Sequence, residues 1–208
     1  EKVRDDKIDI AIDLTGYTLL NRAGLFAHRL APIQINYLGF EATIGADFMD
    51  YIVSDHTCIP KDSQKHYNEK ILYLPNAYMP TDNLIEISDK EISRTELGLP
   101  ADGFVFACFN SVYKITPSEF DIWMQVMLQV PNSVLWLRKP NKWAESSLVK
   151  EAAKRGVDAK RIIFADKVNI SDHLARHKLA DLFLDTFNMN AHATAIDALW
   201  AGLPIVSK

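Results

Sequence analysis

The sequence has few cysteines and no long apolar run. Cys58 and Cys108 are the only cysteines in 208 residues, and they lie far apart without a CxxC spacing or a neighbouring histidine. This excludes a disulfide framework and gives no sign of a zinc site, so a reducing, cytoplasmic setting fits best. No stretch approaches the roughly 20 apolar residues of a membrane helix, and no charged-then-apolar leader opens the chain. We therefore expect no membrane association.

The sequence also lacks an excess of basic charge. The formal net charge is -4, and no cluster of lysine and arginine alternates with stacking aromatic residues. Such a chain has no field that attracts a phosphate backbone, so nucleic acid is not an expected partner. With 48% hydrophobic and 24% charged residues, the composition is that of a folded globular protein.

Several motifs of nucleotide chemistry are missing as well. The sequence has no DxD pair, which usually holds Mg²⁺ or Mn²⁺ against a diphosphate. It has no GxxxxGK[ST] loop, no GxGxxG that opens a helix and no GxSxG elbow. A phosphate site in this chain would therefore be built from backbone amides and lysine, without a metal or another cofactor.

The first half of the chain is rich in short strand-like segments. Alternating or apolar runs predict strands over 8–14, 32–38, 50–55 and 70–75, with a short helix over 21–28. We interpret residues 1–82 as part of an N-terminal Rossmann-like domain. Residues 83–100 are polar and aperiodic at their start, which is typical of an interdomain connection.

In the second half, strands and helices alternate. Strands are predicted over 104–109, 133–137, 161–164, 182–185 and 203–206. Helices are predicted over 117–130, 144–155 and 193–200, and a further helix is capped by Ser171 or Asp172. This alternation indicates a parallel sheet wound on both sides, so residues 101–208 form a C-terminal Rossmann-like domain. Since the chain starts at Glu1 and stops soon after the last strand, we expect a fragment in which both domains are incomplete.

Ligands of parallel sheets bind beyond the carboxyl ends of the strands, which selects three segments of the second half. In the last one, small residues between Asn188 and Ala195 lead into a helix whose amide end could hold a diphosphate. Thr194 and Asp197 share one face of that helix, and Asp197 could bind ribose hydroxyls. A capped helix with a solvated aspartate explains the same pattern.

The other two segments offer a cation and an aromatic base platform. Lys114 follows a buried strand, near Asn110, and could neutralise a departing diphosphate. His173 and Arg176 share a helix and could flank a nucleobase. The alternatives are a solvated loop lysine and two exposed polar side chains on a surface helix.

The residues of these segments closely resemble the catalytic region of the O-linked N-acetylglucosaminyltransferases. In the second half the resemblance rests on these stretches: Phe109-Asn110-x-x-Tyr113-Lys114-Ile115-x-Pro117, Val130 to Leu137, Arg161 to Phe164, Leu179-Ala180-Asp181-x-x-Leu184-Asp185-Thr186, and His192-x-Thr194-x-x-Asp197-x-Leu199-Trp200-Ala201-Gly202-x-Pro204. In the first half it rests on these: Gly16-Tyr17-Thr18, Arg22, Leu25 to Ala27, Arg29, Ala31 to Gln34, Leu38-Gly39 and Phe48 to Ile52. It covers the chain from about Ile8 to Val206.

The resemblance implies an α/β fold of GT-B architecture, with two Rossmann-like domains, and an inverting, metal-independent transfer of N-acetylglucosamine from UDP-GlcNAc to Ser/Thr hydroxyls of an acceptor protein. It also implies that residues 101–208 bind the nucleotide sugar, and it implies roles for single residues. Lys114 would stabilise the leaving diphosphate, His192 and Thr194 would contact the phosphates, and Asp197 would bind the ribose. His173 and Arg176 would flank the uracil. Leu38, Gly39 and Tyr113 would border the sugar. Arg22 matches an active-site arginine of the family whose role is open.

The sequence departs from the animal enzymes of this family at several positions. Ser111 stands where a glutamine touches the phosphates, Ile170 replaces a lysine near the nucleoside, Ala193 replaces a threonine, and Glu41 replaces a proline beside the sugar loop. The short connection after Thr81, where the animal enzymes have a large inserted domain, indicates a bacterial-type form. In the family, tetratricopeptide repeats usually precede the catalytic part, and the histidine proposed as base lies upstream of Glu1.

Two other interpretations stay open. One is a related transferase with another donor, such as UDP-glucose or the GDP-fucose of the plant Spindly-type relatives. The other is a non-catalytic domain that binds a nucleotide or a partner protein, which the substitutions at Ser111, Ile170 and Ala193 allow. Since active-site residues lie outside it, the isolated fragment could be inactive.

Overall fold

The computed structural model describes residues 2–39 and 42–208, so Glu41 lies outside the described residues. The chain divides into two compact units, Glu1–Asp82 and Asn83–Lys208. Each has its own parallel sheet, which is the α/β organisation that the sequence predicts. None of the helices in the described ranges is long and apolar enough to cross a membrane.

The first unit is a four-stranded parallel sheet whose strands follow the chain order. After α1 (Lys2–Asp5), the strands are β1 (Ile10–Asp13), β2 (Ile33–Asn36), β3 (Tyr51–Ser54) and β4 (Lys70–Tyr73). Two 3₁₀ helices, Ala23–His28 and Lys61–His66, lie in the connections. The four predicted strands are confirmed, whereas the predicted helix over 21–28 is a 3₁₀ helix that ends at Arg29, in the left-handed conformation with φ 50°.

Gln34 holds the connection between β1 and β2 against the sheet. Its buried side-chain amide donates to the carbonyl oxygens of Phe26 and Phe48, and its oxygen accepts from the Leu30 amide at 2.8 Å. Phe26 also packs with Ile44 and Met49 in a small core. One polar side chain therefore satisfies backbone groups of the two loops that also supply Phe26, Ile44 and Met49 to this core.

The second unit alternates strands and helices. Its strands are β5 (Val105–Cys108), β6 (Val134–Arg138), β7 (Ile162–Ala165), β8 (Leu182–Leu184) and β9 (Ile205–Val206), all parallel, in the spatial order β7-β6-β5-β8-β9. The helices are α2 (Pro117–Gln129), α3 (Lys142–Lys154), α4 (Ile170–His177) and α5 (Ala193–Trp200). The strand order reverses between β5 and β8, which is the switch point where doubly wound sheets bind ligands.

The predicted elements of this unit agree with the structure to within a few residues, apart from one cap. Ser171 and Asp172 do not cap α4: the cap is Asn169, whose side-chain oxygen accepts from the Asp172 amide at 2.9 Å. The side chain of Asn169 reaches the amide three residues on, as an N-cap must, while Ser171 and Asp172 already lie within the helix.

Residues 83–100 pack against the second unit. Arg94 donates to the carbonyl oxygens of Leu179 and Gly103 and forms an ion pair with Asp181 at 2.9 Å. Leu99 is buried in the core that also contains Trp123 and Trp136. These contacts tie the segment to the body of the sheet although its sequence is polar.

Candidate functional site

The loops that follow β5 and β8 are joined by side-chain hydrogen bonds. Asn110, two residues after the end of β5, is 1% exposed, and its amide donates to Asp185 Oδ1 at 3.1 Å and to Thr186 Oγ1 at 2.9 Å. Asp185 and Thr186 directly follow β8 and are buried as well. Since β5 and β8 are neighbours at the reversal of strand order, these bonds lie at the expected ligand edge.

Asp185 is the centre of the loop after β8. Its carboxylate accepts from the amides of Thr186 and Ala191, each at 2.7 Å, and from the side chains of Asn190 and Ser207. Burial acts to raise the pKa of Asp185, but these hydrogen bonds outweigh burial and hold the pKa below its usual value. The carboxylate is therefore charged at neutral pH and fixes the loop around itself.

Lys114 ends a 3₁₀ turn, Val112–Lys114, in the loop after β5. Its side chain is half-buried, and Nζ donates to the carbonyl oxygen of Asn190 at 3.0 Å. Tyr113 is 76% exposed, and the Ser111 hydroxyl accepts a long hydrogen bond from Arg138 at 3.5 Å. Lys114 is thus held at the switch point and differs in this respect from a solvated loop lysine.

The start of α5 meets the same network. His192 precedes the helix, and the hydroxyl of Thr194 donates to Asn110 Oδ1. The Ala195 amide already donates to the His192 carbonyl, so Ala193 and Thr194 are the first-turn amides that remain candidates for a phosphate. Asp197 is half-buried on the same helix, and burial raises its pKa above the usual range.

His173 and Arg176 are not a pair of exposed polar residues. Arg176 is 6% exposed, its Nε donates to His173 Nδ1 at 2.9 Å, and its Nη1 donates to the carbonyl oxygen of Asp166 at 2.6 Å. The guanidinium lies 4.9 Å from the ring centroid of Phe109, and His173 contacts the same ring edge-on at 5.2 Å. Phe109 precedes Asn110, so this group adjoins the network described above.

The protonation states in this group follow from burial. Burial, together with the nearby positive charge of Arg176, lowers the pKa of His173 to about 3, and burial lowers the pKa of Arg176 to about 10. At neutral pH the imidazole is neutral while the guanidinium stays charged. Because His173 Nδ1 accepts from Arg176, the ring proton lies on Nε2, which leaves an N–H donor for a ligand.

Three of the sequence-predicted residues belong to the first unit. Leu38 has φ 83°, and a Cβ on Gly39 would lie 2.2 Å from the Leu14 carbonyl oxygen. The backbone after β2 therefore requires glycine at this position. Arg22 is exposed and precedes the 3₁₀ helix Ala23–His28.

Sequence reasoning missed three residues that organise the site: Asp185, Asn190 and Glu119. Glu119 is fully buried in the first turn of α2, where Oε2 accepts from the Thr116 amide at 2.7 Å and Oε1 accepts from the amides of Phe187 and Asn188. The T-x-x-E spacing of Thr116 and Glu119 is a capping-box signal that identifies this carboxylate from sequence. Nothing in the sequence indicates that this carboxylate also accepts hydrogen bonds from the amides of Phe187 and Asn188.

The site therefore lies at the strand-order reversal of a Rossmann-like unit and combines a lysine, a helix start and a neutral histidine. The profile of glycosyl transferase family 41 matches residues 1–92 and 85–208. The chain belongs to this family, and its fold is of the GT-B class.

Individual relatives agree with this assignment. The chain is 40% identical over 211 residues to the probable UDP-N-acetylglucosamine–peptide N-acetylglucosaminyltransferase SEC of Arabidopsis thaliana, covering 99% of this chain and 22% of that protein. It is 30% identical over 212 residues to the probable UDP-N-acetylglucosamine–peptide N-acetylglucosaminyltransferase SPINDLY of Oryza sativa subsp. japonica. This match covers 99% of this chain and 22% of that protein. The chain thus spans about a fifth of the length of these relatives.

Among solved structures, the chain is similar to a lysine-to-methionine mutant of the Thermobaculum terrenum O-GlcNAc transferase. The TM-score is 0.84 at 31% identity, and the match covers 99% of this chain and 39% of that one. The similarity extends over both units of the chain.

Proposed function

We propose that this chain carries donor-site residues of a glycosyltransferase that moves N-acetylglucosamine from UDP-GlcNAc to Ser/Thr hydroxyls of proteins, with inversion and without a metal. The names of the relatives support the donor and the peptide acceptor. The observation that carries the proposal is the contact of the loop after β5 with the loop after β8 and with the start of α5, since Lys114 donates to the Asn190 carbonyl oxygen and Thr194 donates to Asn110.

In this proposal the diphosphate lies between Lys114 and the first turn of α5. An ammonium has three donors, of which Lys114 uses one on the Asn190 carbonyl oxygen. The other two, with the amides of Ala193 and Thr194, face the phosphate oxygens. His192 contacts the phosphates, and Asp197 accepts from the ribose hydroxyls.

The uridine binds at α4. The ring of His173 and the guanidinium of Arg176 flank the uracil, and the N–H at His173 Nε2 suits the carbonyl oxygens of that base. Ser111 and Tyr113, in the loop after β5, complete the donor site on this unit. For Leu38 and Gly39 as residues that border the sugar, and for Arg22 as an active-site residue, the proposal rests on the family resemblance alone.

The reaction is a direct displacement. A serine or threonine hydroxyl attacks the anomeric carbon from the face opposite UDP, the bond from this carbon to the phosphate oxygen breaks, and the bonding electrons go to the diphosphate. The hydroxyl proton passes to the base, which the family resemblance places upstream of Glu1. Lys114 and the helix amides stabilise the charge that develops on the leaving group, which is the role that a divalent cation has in other transferases.

Replacement of Lys114 tests this assignment. In the complete protein, Lys114→Met should lower kcat about 100- to 1000-fold, because a preorganised charge at the leaving group is removed. KM for UDP-GlcNAc should change less than kcat, since His173, Arg176 and Asp197 still bind the nucleoside. The measurement is steady-state UDP release with a protein acceptor, with and without a chelator.

Lys178→Met, which removes an exposed lysine just after α4, is the matched control and should keep the wild-type rate. The wild-type rate should also persist in the chelator. A Lys114→Met protein with near-normal kcat would refute the role of Lys114, and loss of wild-type activity in the chelator would refute the metal-free mechanism.

A further inference from the structure

The loop from Thr186 to His192 is held by two buried carboxylates from different elements. Glu119, on α2, accepts from the amides of Phe187 and Asn188 at 2.5 Å and 3.0 Å. Asp185 accepts from the amides of Thr186 and Ala191 at the two ends of the loop. The backbone is fixed at both ends, and Asn190 lies between these anchors.

Asn190 connects the anchored loop to the lysine. Its carbonyl oxygen accepts from Lys114 Nζ at 3.0 Å. Its side-chain amide donates to Asp185 Oδ2 at 3.0 Å and to the Thr186 carbonyl oxygen at 2.9 Å, and Ser207 Oγ lies 3.1 Å away. The side chain thus fixes the orientation of the peptide group that receives the ammonium.

This connection matters because Lys114 has a long, flexible side chain. A lysine loses considerable rotamer entropy when it is held in one place, so a half-buried lysine needs a fixed acceptor. Asp185 holds the peptide group of the Asn190 carbonyl in two ways, because it accepts from the Ala191 amide at 2.7 Å and from the Asn190 side-chain amide at 3.0 Å. Asp185, charged and buried, is the group on which this amide depends.

Resting on the proposed function, we propose that Asn190, anchored on Asp185, is a positioning residue that holds Lys114 at the leaving diphosphate. Asn190 acts through Lys114 and makes no contact with the reacting atoms. Its loss should therefore affect the chemical step more than donor binding.

Two variants of the complete protein test the proposal. Asn190→Ala should lower kcat about 100-fold, because a displacement of a catalytic group by about 1 Å has an effect of that size. The affinity for UDP alone, measured by calorimetry, should fall by a smaller factor, because α4 and Asp197 are unaffected. Asn132→Asp, at an exposed turn, and Asp102→Asn, also exposed, are matched controls and should keep the wild-type kcat.

Asn190→Asp gives a readout that a purely structural role would not produce. The introduced carboxyl faces Asp185, and two adjacent carboxylates retain a shared proton to a higher pH than either does alone. Lys114, Glu119 and Lys208, which lies over the Phe187 ring, are the other charged groups around this loop, along with His192 at its end. When the introduced carboxyl is protonated, it can donate to Asp185 as the amide does.

The kcat of Asn190→Asp relative to wild type should therefore rise as pH falls from about 8 to about 6, while the relative kcat of Asn190→Ala stays flat. A wild-type kcat in Asn190→Ala overturns the proposal. The proposal is also overturned if kcat falls by the same factor as the number of UDP-binding sites, because the lower rate would then come from partial unfolding. If the wild-type protein transfers no sugar, the proposed function fails and this proposal fails with it. An active wild type with unaffected variants overturns the positioning role alone.

Discussion

The histidines of α4 show how burial sets the chemistry of single residues. His177 is fully buried, its Nδ1 donates to the His173 carbonyl oxygen at 2.7 Å, and its ring contacts Phe109 edge-on at 4.9 Å. Burial lowers the pKa of His177 to about 4, close to that of His173. Both rings are neutral in the folded chain at neutral pH, and this keeps a second and third positive charge away from Arg176.

This burial predicts a pH dependence of stability. Below the usual histidine pKa of 6.5, the unfolded chain binds protons that the folded chain does not bind until about pH 4 for His177. The free energy of unfolding must therefore fall as pH falls from about 6.5 to about 4, by at most about 1.4 kcal/mol per pH unit for each histidine. The thermal unfolding midpoint of the second unit, followed by tryptophan fluorescence, measures it, because Trp123, Trp136, Trp143 and Trp200 all lie there.

His177→Gln, which retains a side-chain donor, should make this decline shallower. His66→Gln, at an exposed position of the first unit, is the control and should leave the decline unchanged. An equally steep decline in His177→Gln would contradict the account of burial.

At the scale of elements, the first turn of α2 has two tasks. Glu119 completes the capping box with Thr116 and also accepts the amides of Phe187 and Asn188 from the loop after β8. The start of one helix thereby supports the loop that leads into another.

Removal of this carboxylate should be costly. Glu119→Ala leaves three partly buried amides without their acceptor, and we expect the free energy of unfolding to fall by about 3 kcal/mol. Chemical denaturation of the chain followed by tryptophan fluorescence measures the change. Glu145→Ala, in the first turn of α3, should cost at most about 1 kcal/mol. Equal effects of the two substitutions would show that Glu119 is only a helix cap.

The elements of the second unit could be predicted because local signals define them. The apolar run before Asn110 gives β5, and Thr116 with Pro117 marks the start of α2. The helix before Arg29 was predicted without its 3₁₀ geometry, because six residues are too few for the apolar period to separate the two helix types.

The site was predictable only in part, for a related reason. The sequence marks Lys114, His173 and Thr194 through their places after strands and through the family resemblance. The bonds of Asn110 to Asp185 and of Glu119 to Phe187 join residues 75 and 68 positions apart, and no local pattern reports such a pair. The burial of Arg176 likewise depends on Phe109, which directly follows β5, and on Trp136 in β6.

At the scale of the whole molecule, the chain has two units, each with its own parallel sheet. Residues that carry the family resemblance lie in both units. The second unit has the strand order of a nucleotide-binding Rossmann sheet, and the site lies where that order reverses. The first unit contains the tight backbone at Gly39 and the exposed Arg22. The match to the profile of glycosyl transferase family 41 covers both units.

We propose that the protein containing this chain transfers N-acetylglucosamine from UDP-GlcNAc to protein hydroxyls. The most direct test of this proposal is intact-mass analysis of candidate acceptor proteins after incubation of the complete protein with UDP-GlcNAc, UDP-glucose or GDP-fucose in turn. We predict an added mass of one N-acetylhexosamine per modified site with UDP-GlcNAc, and no such product with the Lys114→Met variant. A mass increase with GDP-fucose or UDP-glucose alone, or none with any donor, would contradict the account.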